Sequence, residues 1–288
     1  MSLAVLARRR PFNTIRLARR GLFYVLVALV CAVVFFPVYW MILSAIQPAR
    51  LSMRYPPPLF PQAISLTPFQ QLFRDYPVVT WVTNSTLISI LSTLLCLGLA
   101  IFGAYTLSCL RWRGRNMFGL ALFFTQMLPE ALIIIPIFII LRQLRLLENL
   151  PAVALVNTAF VLPIGIWILK GVFDAVPREI REAAQVDGCD ALGVLWRIVV
   201  PLSLPGLVAV GVVAFFYAWN EFLFTSTMLT TDAVRPAAVG LATLRSQMET
   251  PVERILAASM LFSAPPVLFY LVMQRYIVSG LTAGAVKG

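Results

Sequence analysis

The chain has 288 residues, of which 60% are hydrophobic and 12% are charged. Soluble domains carry about a quarter charged residues, so this composition excludes an ordinary soluble fold and predicts a membrane protein. The sequence contains no histidine, which excludes imidazole-based catalysis and imidazole metal ligands. The four cysteines show no CxxC spacing, and they predict neither a disulfide framework nor a metal site.

Six apolar stretches are long enough to cross a bilayer, which takes about 20 residues in a helix. They are Gly21–Ala45, Thr86–Leu110, Met117–Leu141, Ala152–Phe173, Leu202–Phe224 and Ala257–Ile277. The sequence therefore predicts an all-α membrane protein with six transmembrane helices. The first stretch follows a run of arginines, but it is longer than a signal-peptide core and no small-x-small cleavage site closes it. We interpret it as a retained anchor.

The basic residues predict the orientation of these spans. With the N-terminus inside, the inner segments hold fifteen Lys and Arg residues and the outer segments hold eight, which favours two cytoplasmic termini. The net charge of +11 is thus a topology signal, and it indicates no nucleic-acid partner. The predicted organisation is a basic N-terminus at 1–20, a six-helix domain at 21–277 and a cytoplasmic tail at 278–288. Within the six-helix domain, the outer loops are at 46–82 and 225–256, and the long inner loop is at 174–200.

The inner loop has the local signals of two short helices joined by a bend. Pro177 suits the first turn of a helix, Gly188 can end that helix in a left-handed conformation, and Asp190 can cap the next one. The predicted apolar faces are Val176, Ile180, Ala183 and Ala184 on the first helix, and Ala191, Leu192, Leu195, Ile198 and Val199 on the second. Taken alone, these residues describe an amphipathic element at the membrane surface.

The spacing within this loop adds a family resemblance. Glu182-Ala183-Ala184, then three residues, Gly188, nine residues, and Ile198 to Pro201 resemble the signature of binding-protein-dependent ABC importer permeases. The one departure is Val200, where that signature usually has Leu. The resemblance implies the type I ABC importer permease architecture, with this loop as a coupling helix docked on a cytoplasmic ATPase. The small side chains of Ala183 and Ala184 would let that surface approach closely.

The same resemblance implies the partners and the site residues. Residues Glu182, Ala183, Ala184, Asp187 and Gly188 would contact the ATPase. The partners would be two ATPase subunits carrying ATP and Mg, a second permease subunit in a heterodimer, and an extracytoplasmic solute-binding protein. The complex would lie among the lipids of the bacterial cytoplasmic (inner) membrane. No cofactor is expected on this chain.

The C-terminal sequence narrows the family. The segment from Arg275 to Gly288 resembles the tail of the maltose-type carbohydrate permeases, specifically their second subunit, and the resemblance extends from about Trp81. It implies a sugar or sugar-like solute. It also implies that the tail reaches between paired ATPases through residues Gly280, Leu281, Gly284 and Lys287. From composition alone, the tail is predicted to be disordered in water.

Two acidic residues fall inside predicted spans, where an ionisable group usually faces a cavity or a partner. Glu221 lies near the outer surface beside Trp219 and Asn220, so it is predicted to contact either the solute or a gate, with the indole against a sugar ring, or headgroup water. Glu130 lies near mid-membrane beside Pro129, and it either lines the solute pathway or has a structural role in a helix–helix hydrogen bond or a helix kink. The polar run from Thr83 to Ser89 is more typical of helix packing.

Two other functional classes remain as alternatives. An intramembrane enzyme is disfavoured because histidine and paired acids at helical spacing are both missing. A secondary transporter is disfavoured because no internal repeat is evident and because it leaves the inner-loop signature unexplained. No Gly-x4-Gly-Lys-Ser/Thr phosphate loop is present. The chain is therefore predicted to be a non-enzymatic permease that depends on a separate ATPase.

Overall fold

The computed structural model describes residues 14–48, 51, 54–56, 58–247 and 250–285, with side chains from residue 19 to residue 276. This described part is helical and contains no strand. Four helices are long and apolar enough to cross a membrane, and the number rises to six if each of two bent helix pairs counts as one span. The all-α prediction is confirmed.

Twelve helices follow one another in the described ranges. They are α1 Thr14–Ala45, α2 Thr67–Asp75, α3 Val78–Ser108, α4 Arg115–Thr125, α5 Glu130–Gln143, α6 Leu150–Asp174, α7 Arg178–Val186, α8 Ala191–Leu202, α9 Leu204–Asn220, α10 Leu223–Met228, α11 Ala237–Ser246 and α12 Val252–Ala285. Within α8, residues Leu195–Val199 form a π-helical turn.

The third predicted span is a broken helix. Helices α4 and α5 meet at an angle of 95°, and Pro129 stands in an extended conformation immediately before α5. Proline lacks an N–H and excludes the residue before it from the helical region, so a continuous helix over Met117–Leu141 was the wrong expectation. The fifth span is also shorter than predicted. Helix α9 ends at Asn220 because Glu221 takes up an extended conformation.

The last helix is longer than predicted. We expected residues Gly280–Gly288 to be disordered on their own, but α12 continues through Ala285. Residues 278–285 contain no proline, and adding residues to an existing helix avoids the cost of nucleation. Gly280 and Gly284 weaken the helix by about 1 kcal/mol each without ending it. Lys287 lies outside the described residues.

The centre of the bundle consists of α3, α6 and α9. Small residues let these helices approach closely, as is common in membrane bundles. A Cβ placed on Gly165 of α6 would lie 3.1 Å from Cys96 Sγ of α3 and 3.1 Å from Val210 Cγ1 of α9. Ala100 and Ala104 of α3 are fully buried beside this contact. The three helices thereby form a rigid scaffold for the loops at both ends.

Helix α1 stands apart from this scaffold. Its residues 19–39 are all exposed, and burial begins near its C-terminal end, at Leu43 and Ala45. The exposed length is strongly apolar, with a mean hydropathy of 2.7 over its span. Its sides are therefore open to lipid or to another apolar helix.

Candidate functional site

The inner loop has the predicted helix–glycine–helix geometry. Helix α7 begins after Pro177 and ends at Val186, and Gly188 then has a φ of +90°. The chain closes the bend with a hydrogen bond of 2.9 Å from Cys189 N to Ala184 O. Asp190 caps α8, because its Oδ1 accepts a bond of 2.7 Å from Gly193 N. Local signals in the sequence were sufficient to predict this bend.

The buried faces of the two helices agree only in part with the predicted ones. On α7, Val176 just before the helix and Ala184 within it are buried, whereas Ile180 is 44% exposed. On α8, Leu195 and Val199 of the predicted apolar face are buried, whereas Ala191 and Leu192 of the same face are exposed. Val194, which was not assigned to that face, is buried as well. The π-helical turn places residues five apart on one face, which explains how Val194 and Val199 are buried together.

The signature residues divide between a buried and an exposed set. Ala184 packs into the core of its own chain, so the prediction that its small side chain admits a partner was wrong. Ala183 lies one residue earlier and therefore about 100° around the helix axis, and it is exposed. The Glu182 carboxylate is half-exposed and forms an ion pair of 2.5 Å with Arg178 Nε one turn earlier. Asp187 and Gly188 are exposed as well, so the bend presents an accessible acidic surface.

Two of the predicted solute-pathway residues line one cavity. Trp219 and Asn220 lie at the end of α9 beside a cavity of about 470 Å³. Further walls come from α11 and α12. The lining includes the aromatic rings of Phe216, Phe222 and Phe262 and the hydroxyls of Ser259 and Ser263. Trp219 is 6% exposed because one ring face stacks on Phe215. Asn220 is exposed, and its Nδ2 donates to the Phe216 carbonyl over 2.8 Å.

Glu221 has a different role from the one predicted. Its carboxylate is buried, accepting hydrogen bonds from Phe224 N at 2.6 Å and from Thr225 N at 3.0 Å. The side chain therefore caps α10, satisfying backbone donors that have no partner within the helix. The sequence expectations for Glu221, a solute or gate contact or a contact with headgroup water, did not include this cap. The sequence signal was the short distance from Glu221 to the apolar start of α10.

Glu130 is the first residue of α5 and accepts a hydrogen bond of 2.7 Å from Tyr217 Oη of α9. This contact ties the start of the second half of the broken span to the central bundle. Of the two alternatives from the sequence, the geometry agrees with the helix–helix hydrogen bond. Sequence analysis did not identify Tyr217 as the partner, because the two residues are 87 positions apart.

The predicted outer loop, 225–256, is folded against the bundle. Asn84 Nδ2 donates to the carbonyls of Ala233 and Arg235, each over 3.1 Å, and Ser85 Oγ accepts from Ala237 N over 2.8 Å. Gly240 lies so close to α3 that a Cβ there would overlap the indole of Trp81. We expected this loop to project outward, but its apolar residues make it part of the helical core.

A second anchor of the outer loop comes from the turn between α5 and α6. The Glu148 carboxylate accepts hydrogen bonds from the backbone N–H and hydroxyl groups of both Thr230 and Thr231. Partial burial raises the pKa of this carboxyl, but the hydrogen bonds outweigh it and hold the pKa below the usual value for glutamate. Because the bonds need an ionised acceptor, this anchor depends on charge.

The described residues contain no group of three or more Cys, Asp or Glu side chains placed to hold a metal ion. The site thus consists of an exposed acidic bend at one end of the bundle and an aromatic cavity beside a folded loop at the other.

Comparison with known proteins identifies the family to which this architecture belongs. Residues 97–283 match the family model described as the binding-protein-dependent transport system inner membrane component. The chain is 35% identical over 278 residues to the inner membrane ABC transporter permease protein YcjP of Escherichia coli, covering 96% of this chain and 99% of that protein. It is 31% identical over 271 residues to the trehalose/maltose transport system permease protein MalG of Thermococcus litoralis, covering 92% and 94%.

A solved structure shows the same fold. A chain in the crystal structure of a bacterial ABC transporter involved in the import of the acidic polysaccharide alginate superimposes with a TM-score of 0.78. The match covers 93% of this chain and 99% of that chain at 22% identity. The chain therefore belongs to the family of binding-protein-dependent transport system inner membrane components, and it is a permease subunit of an ABC importer.

Proposed function

We propose that this permease forms half of the translocation pathway for a sugar or sugar-like solute. The observation that carries the proposal is the cavity of about 470 Å³ at the end of α9. Its aromatic faces suit the apolar C–H surfaces of a sugar ring, while its serine hydroxyls and the Asn220 amide suit the sugar hydroxyls. Relatives named for trehalose or maltose and for sulfoquinovosyl glycerol support the same class of solute.

The exposed bend after α7 is the proposed contact with the ATPase. Glu182, Ala183, Asp187 and Gly188 share this accessible surface, and Ala184 anchors it to the core. We propose two ATPase subunits, each carrying ATP and Mg, so that hydrolysis is performed outside this chain. A buried anchor beside an exposed acid allows motion of the ATPase to be transmitted to the bundle as a rigid body.

Helix α12 is the second proposed ATPase contact. Its 34 residues span about 51 Å at a rise of 1.5 Å per residue, whereas a hydrocarbon core is about 30 Å thick. With both termini in the cytoplasm, the residues from 278 to 285 that follow the predicted span would continue the helix about 12 Å beyond the membrane and carry Gly280, Leu281 and Gly284 toward the ATPases. The segment can extend toward the ATPases as a helix, although its composition predicted disorder.

A second permease subunit and a solute-binding protein complete the proposed complex. The uncovered apolar length of α1 supports packing against a partner permease in a heterodimer, and the cavity would then be closed by that partner. The family description supports the binding protein, and the folded outer loop is its proposed landing surface. A cysteine in place of the exposed Asp232 should crosslink to the loaded binding protein, and a cysteine in place of Arg113, on the predicted inner side, should not.

The test of solute class is transport itself. The complex would be reconstituted in proteoliposomes with its cognate binding protein, and uptake would be measured for the solute that raises the melting temperature of that binding protein. A mono- or oligosaccharide, or a polyol derivative, is the expected cargo. Transport of an amino acid, a peptide or a metal ion with no sugar uptake would overturn the proposal.

A further inference from the structure

A cationic pocket lies at the predicted inner end of the bundle. Its volume is about 340 Å³, and it is enclosed by the turn between α3 and α4 and by one side of α7. Four arginines line it: Arg111 from the turn, Arg115 from the start of α4, and Arg178 and Arg181 from α7. Glu182 lines the same pocket and compensates one of these charges through its ion pair with Arg178.

The remaining positive charge is only partly neutralised by the chain. Arg181 Nε is buried and has no hydrogen-bond acceptor within the described residues, which is a costly state for a charged donor. Two further acids lie near the pocket, and both have partners within the chain: the Asp174 carboxylate accepts bonds from Lys170 and Ser108, and Asp190 Oδ1 accepts from Gly193 N. An anion with several acceptor oxygens would satisfy the pocket, since guanidinium groups bind phosphate oxygens with matching geometry.

A mostly apolar groove adjoins this pocket at Arg115. It is a cavity of about 350 Å³ between α4 and α6, whose walls include Gly119, Leu120, Phe123 and Trp167 and also the polar Asn116 and Lys170. Arg115 lines both the cationic pocket and this groove. The exposed side chains of Leu120 and Phe123 show that the groove opens on the outer, lipid-facing surface of the chain. The absence of a Cβ at Gly119 leaves room beside the Trp167 ring.

We propose that the pocket and the groove together bind one anionic phospholipid. The phosphate would lie among Arg111, Arg115 and Arg181, and an acyl chain would lie along the groove toward the bilayer interior. Basic pockets between transmembrane helices on the cytoplasmic side are suited to acidic headgroups. Because Arg181 belongs to α7, the lipid would hold the bend of the candidate ATPase contact against the bundle. The proposal does not depend on which solute is carried.

The continuity of the two cavities favours a lipid over other anions. Free phosphate would use the arginines but would leave the groove empty. An acidic residue of a protein partner would approach from the water side and would not need the apolar walls of α4 and α6. A phospholipid matches both the pocket and the groove, because its charged headgroup is joined to apolar acyl chains. The end of α3 and the start of α4 lie where the headgroups of the inner leaflet are expected.

The headgroup contact can be measured by native mass spectrometry of the full-length chain, purified in detergent with the subunits that accompany it. Phosphatidylglycerol should bind more tightly than phosphatidylcholine of the same chain length. Arg115→Gln should weaken phosphatidylglycerol binding about fivefold, as expected for one surface cation. Arg113→Gln is the matched control, because Arg113 is an exposed arginine in the same turn that does not line the pocket. The affinity of Arg115→Lys for phosphatidylglycerol should lie between those of Arg115→Gln and Arg113→Gln.

The acyl-chain contact is tested separately with Gly119→Leu. A Cβ at this position meets Trp167 and Leu107 at ordinary contact distances of 3.7 and 3.8 Å, so the variant should fold while its longer side chain fills the groove. Binding of long-chain phosphatidylglycerol should weaken, and binding of its dihexanoyl analogue should not change. Dependence on chain length distinguishes a lipid from free phosphate.

Three results would overturn the proposal. One is equal affinity for the anionic and the zwitterionic lipid. Another is displacement of the lipid by inorganic phosphate together with no effect of Gly119→Leu, which indicates a simple anion site. The third is loss of ATPase from the purified complex on Arg115→Gln with unchanged lipid binding, which indicates a protein-docking surface. Arg115→Lys and Gly119→Leu still decide the question if Arg115→Gln purifies poorly.

Discussion

The loops at the two ends of this permease differ in how far they pack against the bundle. At the predicted inner end, the bend between α7 and α8 presents Glu182 and Asp187 to solvent and is anchored through a few apolar residues such as Ala184. At the other end, the loop after α10 is bound to α3 by Asn84 and Ser85 and to the α5–α6 turn by Glu148. The inner loop thus leaves an exposed surface for the proposed ATPase contact, whereas the outer loop is already part of the bundle.

This difference predicts where a substitution acts. A change at the inner bend should impair communication with the ATPase and leave the stability of the chain nearly unchanged. A change at the outer loop should lower stability first, because its contacts lie within the chain. Substitutions at the inner bend and at the outer loop should therefore have different measurable effects.

The largest effect is expected for Glu182→Lys. Reversing this charge removes the acid from the proposed ATPase contact and places a fifth cation in a pocket already lined by four arginines. Stimulation of ATPase activity by loaded binding protein, measured in nanodiscs, should be largely lost. The melting temperature should change little, because the exposed pair with Arg178 contributes about 1 kcal/mol or less.

Glu179→Lys is the matched control for that variant, because Glu179 is an exposed acid on the same helix and lies outside the Glu182–Gly188 signature. It should retain most of the stimulation. Normal stimulation in Glu182→Lys, or equal losses in both variants, would contradict a specific coupling role for Glu182.

A substantial but partial effect is expected from deleting Leu281–Gly288. The deletion shortens α12 beyond the membrane and should reduce the amount of ATPase that co-purifies, and with it the rate of uptake. Insertion into the membrane and pairing with the second permease should be unchanged, because the core of the bundle lies elsewhere. If co-purified ATPase and uptake both equal those of the full chain, the proposed contact through this segment is refuted.

On the outer side, Gly240→Ala should destabilise the chain. The added methyl group would overlap the Trp81 indole, and forcing extra atoms into a packed contact costs about 1–3 kcal/mol. The measurement is thermal unfolding in detergent, with Gly98→Ala as the control, since a Cβ on Gly98 meets no atom within 4 Å. Equal melting temperatures for the two variants would show that the outer loop is free to move.

The same contrast explains how much could be inferred from the sequence. The bend at Gly188 and Asp190 depends on neighbouring residues, so it could be predicted, and the spans followed from hydropathy. The outer loop could not be predicted, because Asn84 and Ala233 are 149 positions apart and Glu148 and Thr230 are 82 apart. The cap at Glu221 was missed because the predicted span ran on to Phe224, past the end of α9 at Asn220. Contacts distant in sequence depend on the packing of the bundle, which a sequence pattern does not specify.

The smallest effect is expected at Glu148, and it should depend on pH. Because the hydrogen bonds from Thr230 and Thr231 lower its pKa in the folded chain, Glu148 contributes stability above the pKa of an unfolded glutamate, about 4.3. That contribution should be lost as the pH falls through the lower pKa of the folded state. Glu148→Gln removes the charge and should lower stability at pH 7 by about 1 kcal/mol or less, since the site is largely solvent-screened.

Hydrogen exchange reports this anchor directly. The backbone amides of Thr230 and Thr231 donate to the Glu148 carboxylate, so their exchange should be faster in Glu148→Gln than in the unmodified chain at pH 7. Glu253→Gln, which alters another acid near the outer loop, should leave both amides unchanged, because their acceptor is Glu148. The difference between the Glu148 variant and the unmodified chain should shrink as the pH is lowered toward the pKa of the folded carboxyl, because protonation then removes the same charge. Equal protection of both amides at pH 7 with and without the Glu148 charge would mean that the outer loop is held by Asn84, Ser85 and its apolar contacts alone.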